Sequence, residues 1–300
     1  MKSIQKHSIS FVIPAYNCQH TLAEAVDSIY SGNFTKGDEV IIVDDASEEN
    51  TFDVAKSLQK KYPAVHIYRH HYNKGSAAAG RNTAIDQSRN ELIFCLDADN
   101  VLAPQSIPTL KEYMIRSGCD VAVFRELRYF TKKTKDVTHT WVFPETVTLQ
   151  DCFSTYQFPG ASGNYLFTKE SWIRAGRYNE SVGGACDSWA FGFCQLATGS
   201  KMISMPHSFY YHRYGYQSAY VRDSKAKNIS LTRLQIILPH LHLFEDKDIS
   251  YIMSEKGRYS WFDNLEKHPI RLKQKVSTTP SIKMRALKIL FRLKTRFSRV

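Results

Sequence analysis

Two acidic residues separated by one alanine, Asp97 and Asp99, directly follow the apolar run Leu-Ile-Phe-Cys-Leu. In extended backbone, residues i and i+2 point to the same side, so the two carboxylates would converge on one small volume. Like charges that close repel each other, and a divalent cation relieves the repulsion. Mg²⁺ or Mn²⁺ held by one or two carboxylates keeps open positions for diphosphate oxygens. A solvated turn is the alternative, because Asp-x-Asp is common in turns. The apolar run favours the metal site.

A second acidic pair, Asp44 and Asp45, follows the apolar run Val-Ile-Ile-Val. A carboxylate at the end of a buried strand could accept hydrogen bonds from a nucleotide base or from a ribose hydroxyl. The alternative is a cap or an Asx-turn at the start of the next helix. The pair by itself leaves both interpretations open.

Short β-branched runs alternate with helix-like stretches through the first 125 residues. Strands are predicted over residues 8–14, 39–43, 65–69, 92–96 and 121–124, with helices over 21–30, 52–61 and 76–88. This alternation predicts an α/β fold with a mostly parallel sheet and helices on both faces. Ligands bind at the carboxyl edge of such a sheet, where both acidic pairs fall.

The remaining sequence carries weaker patterns. A loop or hairpin is predicted over residues 126–150. A strand over 165–168 and a helix over 169–175 follow. Another helix begins at Asp187, and short strands are predicted over 201–204 and 208–212. Beyond residue 222 the pattern is helical.

Four motifs in this order resemble the signature of family 2 glycosyltransferases. They are Ile-Pro-Ala-Tyr-Asn at 13–17, Val-Asp-Asp-Ala-Ser at 43–47, Asn-Lys-Gly with Gly-Arg-Asn at 73–82, and Asp-Ala-Asp at 97–99. The resemblance covers roughly residues 8–215 and implies an inverting enzyme of the GT-A fold. It divides the chain into a nucleotide-sugar-binding half (1–125), an acceptor-binding half that carries the base (126–222) and a helical extension with a basic amphipathic tail (223–300).

The resemblance also implies roles for individual residues. The nucleotide-sugar, expected to carry UDP, would contact Pro14, Ala15, Tyr16, Asp45, Arg81, Asp97 and Ala98. A Mn²⁺ or Mg²⁺ ion would be bound by Asp99, the foremost candidate for direct ligation, with Asp97 and His212. Arg81 could meet a phosphate or the base, or could simply pack its helix. His212 could bind metal or diphosphate, or could be a buried structural histidine.

Asp187 matches the acid that the family uses as general base, in the segment Ala-Cys-Asp-Ser-Trp. Cys186 stands where the family usually has Glu, which leaves no role for a first acid. The alternative for Asp187 is capping of the helix that it starts, and the two roles are compatible.

Net charge is +11, and its distribution matters more than its size. Residues 267–300 contain 11 Lys or Arg and no Asp or Glu, which leaves 29 basic against 29 acidic residues in the rest of the chain. The balanced body argues against a nucleic-acid partner. Residues 282–299 suit an amphipathic helix with Ile282, Ala286, Ile289, Leu290, Leu293 and Phe297 on its apolar face. Such a helix could lie on an anionic membrane, or it could pack on the protein body or on a partner.

Compartment is predicted from absences in the sequence. The short apolar run after Lys2 and Lys6 is too brief for a signal peptide, and no run is long enough to span a membrane. Six scattered cysteines without zinc or disulfide spacing suit a reducing compartment. A cytoplasmic protein is expected, peripheral on the inner face of the membrane if the tail binds there.

The sequence leaves three functions open. The first is an active transferase that moves a sugar to a glycan or lipid-linked glycan acceptor for a cell-surface polysaccharide or glycoconjugate. The second is an inactive glycosyltransferase-like module that only binds a nucleotide-sugar or carbohydrate. The third, nucleic-acid binding, rests on the isoelectric point of about 9.3 alone. Retention of Asp187 favours the first, because a binding module needs no base.

Overall fold

A nine-stranded mixed sheet organises the part of the chain that a computed structural model describes, namely residues 7–182, 185–215, 229–273, 286, 287 and 289–291. The strands, numbered in chain order, are β1 Ile9–Ala15, β2 Glu39–Asp44, β3 Val65–Arg69, β4 Leu92–Cys95, β5 Val101–Leu102, β6 Val121–Phe130, β7 Val137–Val142, β8 Leu166–Thr168 and β9 Met202–Arg213.

Nine α-helices have both ends in the described ranges, and residues 286, 287 and 289–291 are helical as well. The nine are α1 Leu22–Tyr30, α2 Thr51–Lys61, α3 Ala77–Asp86, α4 Ser106–Ser117, α5 Lys169–Arg174, α6 Asp187–Ala197, α7 Ile229–Ile237, α8 Asp246–Met253 and α9 Glu255–Ser260. Short 3-10 turns occur at Leu149–Phe153, Pro159–Ser162 and Leu238–Leu243. None of the described helices is long and apolar enough to cross a bilayer.

The strand order is β3-β2-β1-β4-β8-β6-β9-β5, and β7 pairs with β6 outside this path. Strands β1 to β4 form a parallel block in which β1 lies between β2 and β4. The sheet then changes direction, because β8 is antiparallel to both β4 and β6. One sheet therefore joins the two predicted halves, 1–125 and 126–222, and their carboxyl-edge residues can meet.

Alternate residues of the buried strands supply two separate cores, one on each face of the sheet. Phe11, Ile42 and Phe94 pack on one face with α1 and α4 residues. Val12 and Ile93 pack on the other with residues of α6 and of the C-terminal helices. Two buried faces explain why these strands read as continuous apolar runs. The predicted α/β fold with helices on both faces is confirmed. The sheet is mixed, where a mostly parallel one was predicted, because β8 pairs antiparallel with β4 and β6, as do β5 with β9 and β6 with β7.

Several predicted elements differ from the observed ones. Strand β6 runs on to Phe130 and forms a hairpin with β7, one of the two options predicted for 126–150. The strands predicted over 201–204 and 208–212 are one strand, β9, with a register shift near its middle where His207 adopts a φ of 53°. Helix α4 was not predicted. Most of the predicted tail helix, 282–299, lies outside the described residues.

Candidate functional site

The site lies at the carboxyl edge of the parallel block, where β1, β2 and β4 end side by side. Ala15, the last residue of β1, is buried, and the next residue, Tyr16, is exposed over 38% of its surface. Helix α3 approaches β1 closely, since a Cβ added at Gly80 would come within 3.1 Å of the Pro14 Cβ. This contact holds Arg81, the residue after Gly80, close to the end of β1.

Asp45 is held by the loop that follows β3. Its Oδ1 lies 2.6 Å from the His70 Nδ1, and the Lys74 backbone N–H donates to both carboxylate oxygens at 3.1 Å. The Asn73 side chain donates to the Asp45 carbonyl. The Asn-Lys-Gly motif therefore orients Asp45.

Asp44 is fully buried, and Arg69 pairs with its Oδ2 at 3.0 Å. The other oxygen, Oδ1, is buried and has no hydrogen-bond partner among the residues that the structure describes. An unsatisfied buried carboxylate oxygen is costly and suggests a donor supplied from outside the protein.

Asp97 is tied to the strand β8 region through Asn164. The Asp97 backbone N–H donates to the Asn164 Oδ1 at 2.7 Å, and the Asn164 amide donates back to the Asp97 Oδ2 at 2.8 Å. Asn100 donates to the same Oδ2 at 3.3 Å. These bonds fix the turn that carries Asp97 and the buried Ala98.

Arg81 joins Asp97 to Asp187. Its Nη2 lies 2.7 Å from the Asp97 Oδ1, and its Nη1 lies 2.7 Å from the Asp187 Oδ2. The guanidinium is buried, and its charge is offset by these two carboxylates. A residue expected to contact nucleotide or to pack a helix is thus the link between two candidate acids.

Asp187 is the first residue of α6, and Cys186 occupies the N-cap position without capping through its side chain. The second Asp187 oxygen, Oδ1, accepts a 2.6 Å hydrogen bond from the Ser188 backbone N–H. Burial raises the pKa of the Asp187 carboxyl, and the Arg81 charge opposes that rise. The Arg81 contact favours the ionised form, which a general base requires.

Asp99 differs from Asp97 and Asp187, because no ion pair to its carboxylate occurs within the described ranges. Burial raises the pKa of Asp99 to about 7, and the neighbouring Asp97 charge adds to the rise. Arg213 fixes the backbone here by donating from Nε to the Asp99 carbonyl at 3.0 Å, and it also pairs with Glu24. Asp99 is therefore positioned while its carboxylate stays available.

His212 lies on β9 with its ring 5.0 Å from that of Tyr129. Burial lowers the pKa of His212 to about 4, so the ring is neutral at neutral pH. Its Nδ1 is buried and has no hydrogen-bond partner in the described part of the chain. A neutral imidazole with a free nitrogen can be a metal ligand or a hydrogen-bond donor.

The side chains at this edge can be compared with the ligands that a divalent ion needs. Across the described ranges, no three His, Cys, Asp or Glu side chains are arranged to hold a metal by themselves. Both Asp97 oxygens are already engaged, which leaves the Asp99 carboxylate and the His212 Nδ1. An ion of the Mg²⁺ type needs few protein ligands, because it takes its other ligands from phosphates and water, so these two side chains would be enough to hold one if both faced it.

Sequence reasoning placed the acids at one edge but missed several supporting residues. It gave no role to Asn164 or Arg213 and did not foresee that Arg81 pairs with Asp187. Asn164 lies in the Gly-Asn-Tyr segment, whose polar residue before a buried strand was the available signal. No local signal pairs Arg81 with a residue 106 positions away.

Comparison with known proteins adds to this geometry. The sequence model of the protein family described as glycosyl transferase family 2 matches residues 10–175, which is more than half of the chain. A poly(ribitol-phosphate) beta-glucosyltransferase of Bacillus spizizenii is 34% identical over 100 residues, which cover 33% of this chain and 16% of that protein. The UDP-Glc:alpha-D-GlcNAc-diphosphoundecaprenol beta-1,3-glucosyltransferase WfaP of Escherichia coli is 28% identical over 139 residues, which cover 46% of this chain and 53% of WfaP. The chain therefore matches about half of one relative and less of the other.

Solved structures match over more of the chain. Residues 1–349 of Staphylococcus aureus TarS, in complex with UDP-GlcNAc, superpose with a TM-score of 0.64 at 14% identity, covering 96% of this chain and 80% of that one. The mannosyltransferase PcManGT of Pyrobaculum calidifontis, with GDP-Man and Mn²⁺, gives 0.54 at 18% identity, covering 86% and 69%. At such identities the likeness concerns the fold, and it confirms the predicted GT-A type.

Proposed function

Because the chain belongs to family 2 of the glycosyltransferases, we propose that it transfers a sugar from a nucleoside-diphosphate sugar to an acceptor hydroxyl with inversion at the anomeric carbon. UDP is the proposed nucleotide. The fold neighbour TarS binds UDP and UDP-GlcNAc, whereas PcManGT binds GDP-Man, so the nucleotide needs a direct test.

The observation that carries the proposal is the buried bridge from Asp97 through Arg81 to Asp187. It connects the acid expected to face the donor with the acid expected to serve the acceptor. A protein that only binds a nucleotide-sugar needs no ionised carboxylate at the acceptor side. The bridge therefore favours turnover over the alternative of an inactive binding module.

In the proposed reaction, Tyr16 and Asp45 contact the nucleotide base, with Pro14, Ala15 and Ala98 shaping the cleft. The acceptor oxygen attacks the anomeric carbon while the bond from that carbon to the diphosphate breaks, which inverts the configuration. Asp187 takes the hydroxyl proton. An aspartate is a weak base for an alcohol, so the proton moves late, as the new bond forms.

Negative charge develops on the leaving nucleoside diphosphate. Asp99, with His212 and the more heavily engaged Asp97, would hold a Mn²⁺ or Mg²⁺ ion. When bound, such an ion stabilises that charge by direct contact with phosphate oxygens. Two observations in the described residues support this assignment: the Asp99 carboxylate forms no ion pair, and the buried His212 Nδ1 has no hydrogen-bond partner.

The proposed acceptor is a glycan or a lipid-linked glycan used for a cell-surface polysaccharide. Support comes from the names of the relatives, one acting on poly(ribitol-phosphate) and another on a diphosphoundecaprenol-linked sugar. A cytoplasmic position, at the inner face of the membrane, would give access to such acceptors. No nucleic-acid partner is proposed.

A screen of nucleotide-sugars for metal-dependent release of nucleoside diphosphate tests the function. We expect release with at least one sugar, its loss with excess chelator, and its loss in Asp99→Ala. Tight binding of a nucleotide-sugar without release, across a broad set of acceptors, would instead support the binding module. Release that is indifferent to chelator would contradict the metal assignment while leaving the transfer standing.

A further inference from the structure

The few described residues near the C-terminus present two apolar surfaces, and among these residues only one surface contacts the protein body. Residues 286, 287 and 289–291 are helical. Leu287 and Phe291, here called the docked pair, are buried at 9% and 0% exposure. The Phe291 ring lies 4.9 Å from that of Tyr113 on α4, and both docked residues belong to the core on that face of the sheet.

The opposite surface, here called the open face, consists of Ala286, Ile289 and Leu290. All three are exposed, with Ile289 at 57% and Leu290 at 48%. These residues belong to the apolar stripe that the sequence predicts for an amphipathic tail helix, whereas the docked pair lies outside that stripe. The sequence left body packing and membrane contact as alternatives, and in the described residues the body contact does not use the predicted stripe.

We propose that the open face is a membrane-docking surface for an anionic lipid leaflet, held in a fixed position by the docked pair. Charge complementarity identifies the occupant, since residues 267–300 hold 11 Lys or Arg and no acidic residue. Exposed aliphatic side chains beside basic ones are the pattern of helices that lie flat in the headgroup region. Basic residues near an anionic surface add attraction that weakens with salt.

The proposal goes beyond the proposed transfer reaction and does not depend on it. The protein binds a leaflet with residues 286, 287 and 289–291 held against its body by Leu287 and Phe291. A flexible tether would not require Phe291 to be buried against Tyr113.

The test uses the full chain and vesicles of phosphatidylcholine with or without phosphatidylglycerol. Ile289→Asn combined with Leu290→Asn removes the open aliphatic surface without changing charge. We expect the double variant to bind the anionic vesicles roughly tenfold or more weakly than wild type. The exposed surface of Ile289 and Leu290 leaves water when it inserts into the leaflet, and the variant loses this favourable free energy. Ile173→Asn on α5 is the matched control, because Ile173 is 63% exposed and should leave vesicle binding unchanged.

Phe291→Ala separates docking from membrane binding. It should lower the unfolding temperature, whereas the Ile289/Leu290 double variant should not. Equal vesicle binding by wild type and the double variant, or wild-type binding that ignores phosphatidylglycerol, would overturn the proposal. Loss of a dimer in the double variant with vesicle binding unchanged would assign the open face to a second copy of the chain, and would overturn it too. Nucleoside diphosphate release, measured on the same samples without vesicles, should be unaffected and reports separately on the proposed function.

Discussion

Arg81 donates to Asp187 across a distance of 2.7 Å although the two residues are 106 positions apart in the chain. Both side chains are about 5% exposed or less, and Asp97 shares the same guanidinium. The contact ties helix α3 to the start of helix α6. It also supplies a fixed positive charge beside the proposed base, so Arg81 acts as a positioning residue.

Replacing Arg81 with alanine should destabilise the fold and slow the reaction. Removing one partner of a buried ion pair typically costs about 3–5 kcal/mol, because the remaining charges lose their partner. Arg81→Lys keeps the charge but cannot bridge two carboxylates in the same way. We expect Arg81→Lys to fold with lowered kcat and a smaller change in KM, measured by thermal unfolding beside steady-state kinetics.

Arg177→Ala is the matched control for Arg81. Arg177 pairs with Asp86 at the surface, where both side chains are 46% exposed. Exposed pairs contribute about 0–1 kcal/mol, so stability and rate should barely change. If Arg81→Ala were as mild as this control, the bridge would have no role in positioning Asp187.

Asp187→Asn should preserve donor binding and lower turnover by roughly 10²–10⁴-fold, the usual contribution of a general base. The amide has nearly the same shape and can still accept from Ser188, but it cannot take the acceptor proton. It also loses the ion pair with Arg81, so the variant should unfold at a lower temperature than wild type. Isothermal titration of the donor beside a rate measurement separates the two effects. Asp120→Asn is the control, because Asp120 is also paired with an arginine, Arg174, but neither residue belongs to the candidate site. Equal losses of binding and rate in Asp187→Asn would mean a structural role.

Asp99→Ala should abolish metal-dependent release of nucleoside diphosphate and leave the unfolding temperature close to that of wild type. The Asp99 carboxylate has no ion pair in the described residues, and the attraction of Arg213 is opposed by the repulsion of Asp97, so its removal should change stability little. Asp53→Ala, which removes a carboxylate paired with Lys56 at the surface, is the control. Full activity of Asp99→Ala would remove this residue from the metal site.

The native thiols near the site should resist alkylation at pH 8. Burial raises the pKa of Cys18 and of Cys95 to about 12. A raised thiol pKa means that the reactive thiolate is scarce below it, a fraction of about 10⁻⁴ at pH 8. Iodoacetamide labelling followed by mass spectrometry should show these two cysteines modified only after unfolding. Rapid labelling of Cys18 in the native protein would show that the cleft opens further than the structure indicates.

Much of the fold was predictable because its signals are local. The apolar runs that become β1, β2 and β4 are buried on both faces, and each ends at a polar motif. Helix α4 was missed because it begins with Ser-Ile-Pro, where the proline obscures the helical pattern. The direction change at β8 could not be read either, since the pairing of strands distant in sequence leaves no local mark.

The positions of the candidate site residues in the fold were predictable to the same extent. Asp45, Asp97 and Asp99 were located because they end strands, and the family resemblance added Asp187. The partners that orient these acids, such as Asn164 for Asp97, are brought in from distant segments. Their contacts depend on tertiary packing, which periodicity and spacing do not encode.

Gly163→Ala should disturb the Arg81 network directly. Gly163 has a φ of +75°, and an added Cβ would lie 2.9 Å from the Ser188 Oγ, 3.2 Å from the Arg81 Nη2 and 3.5 Å from the Asp97 Oδ2. The first two distances are shorter than ordinary van der Waals contact, so the guanidinium or Ser188 must shift. Any such shift changes how Arg81 bridges Asp97 and Asp187.

Gly176→Ala separates this steric effect from backbone strain. Gly176 has a similar φ of +81°, but nothing lies within 4 Å of an added Cβ. Each substitution costs about 1–2 kcal/mol for a left-handed backbone, and Gly163→Ala should lose more stability than Gly176→Ala because of the added steric conflict. Only Gly163→Ala should also lose kcat, by roughly tenfold or more, since small misplacements of reacting groups are costly. Equal kcat in the two variants would show that the close packing around Gly163 has no bearing on the proposed chemistry.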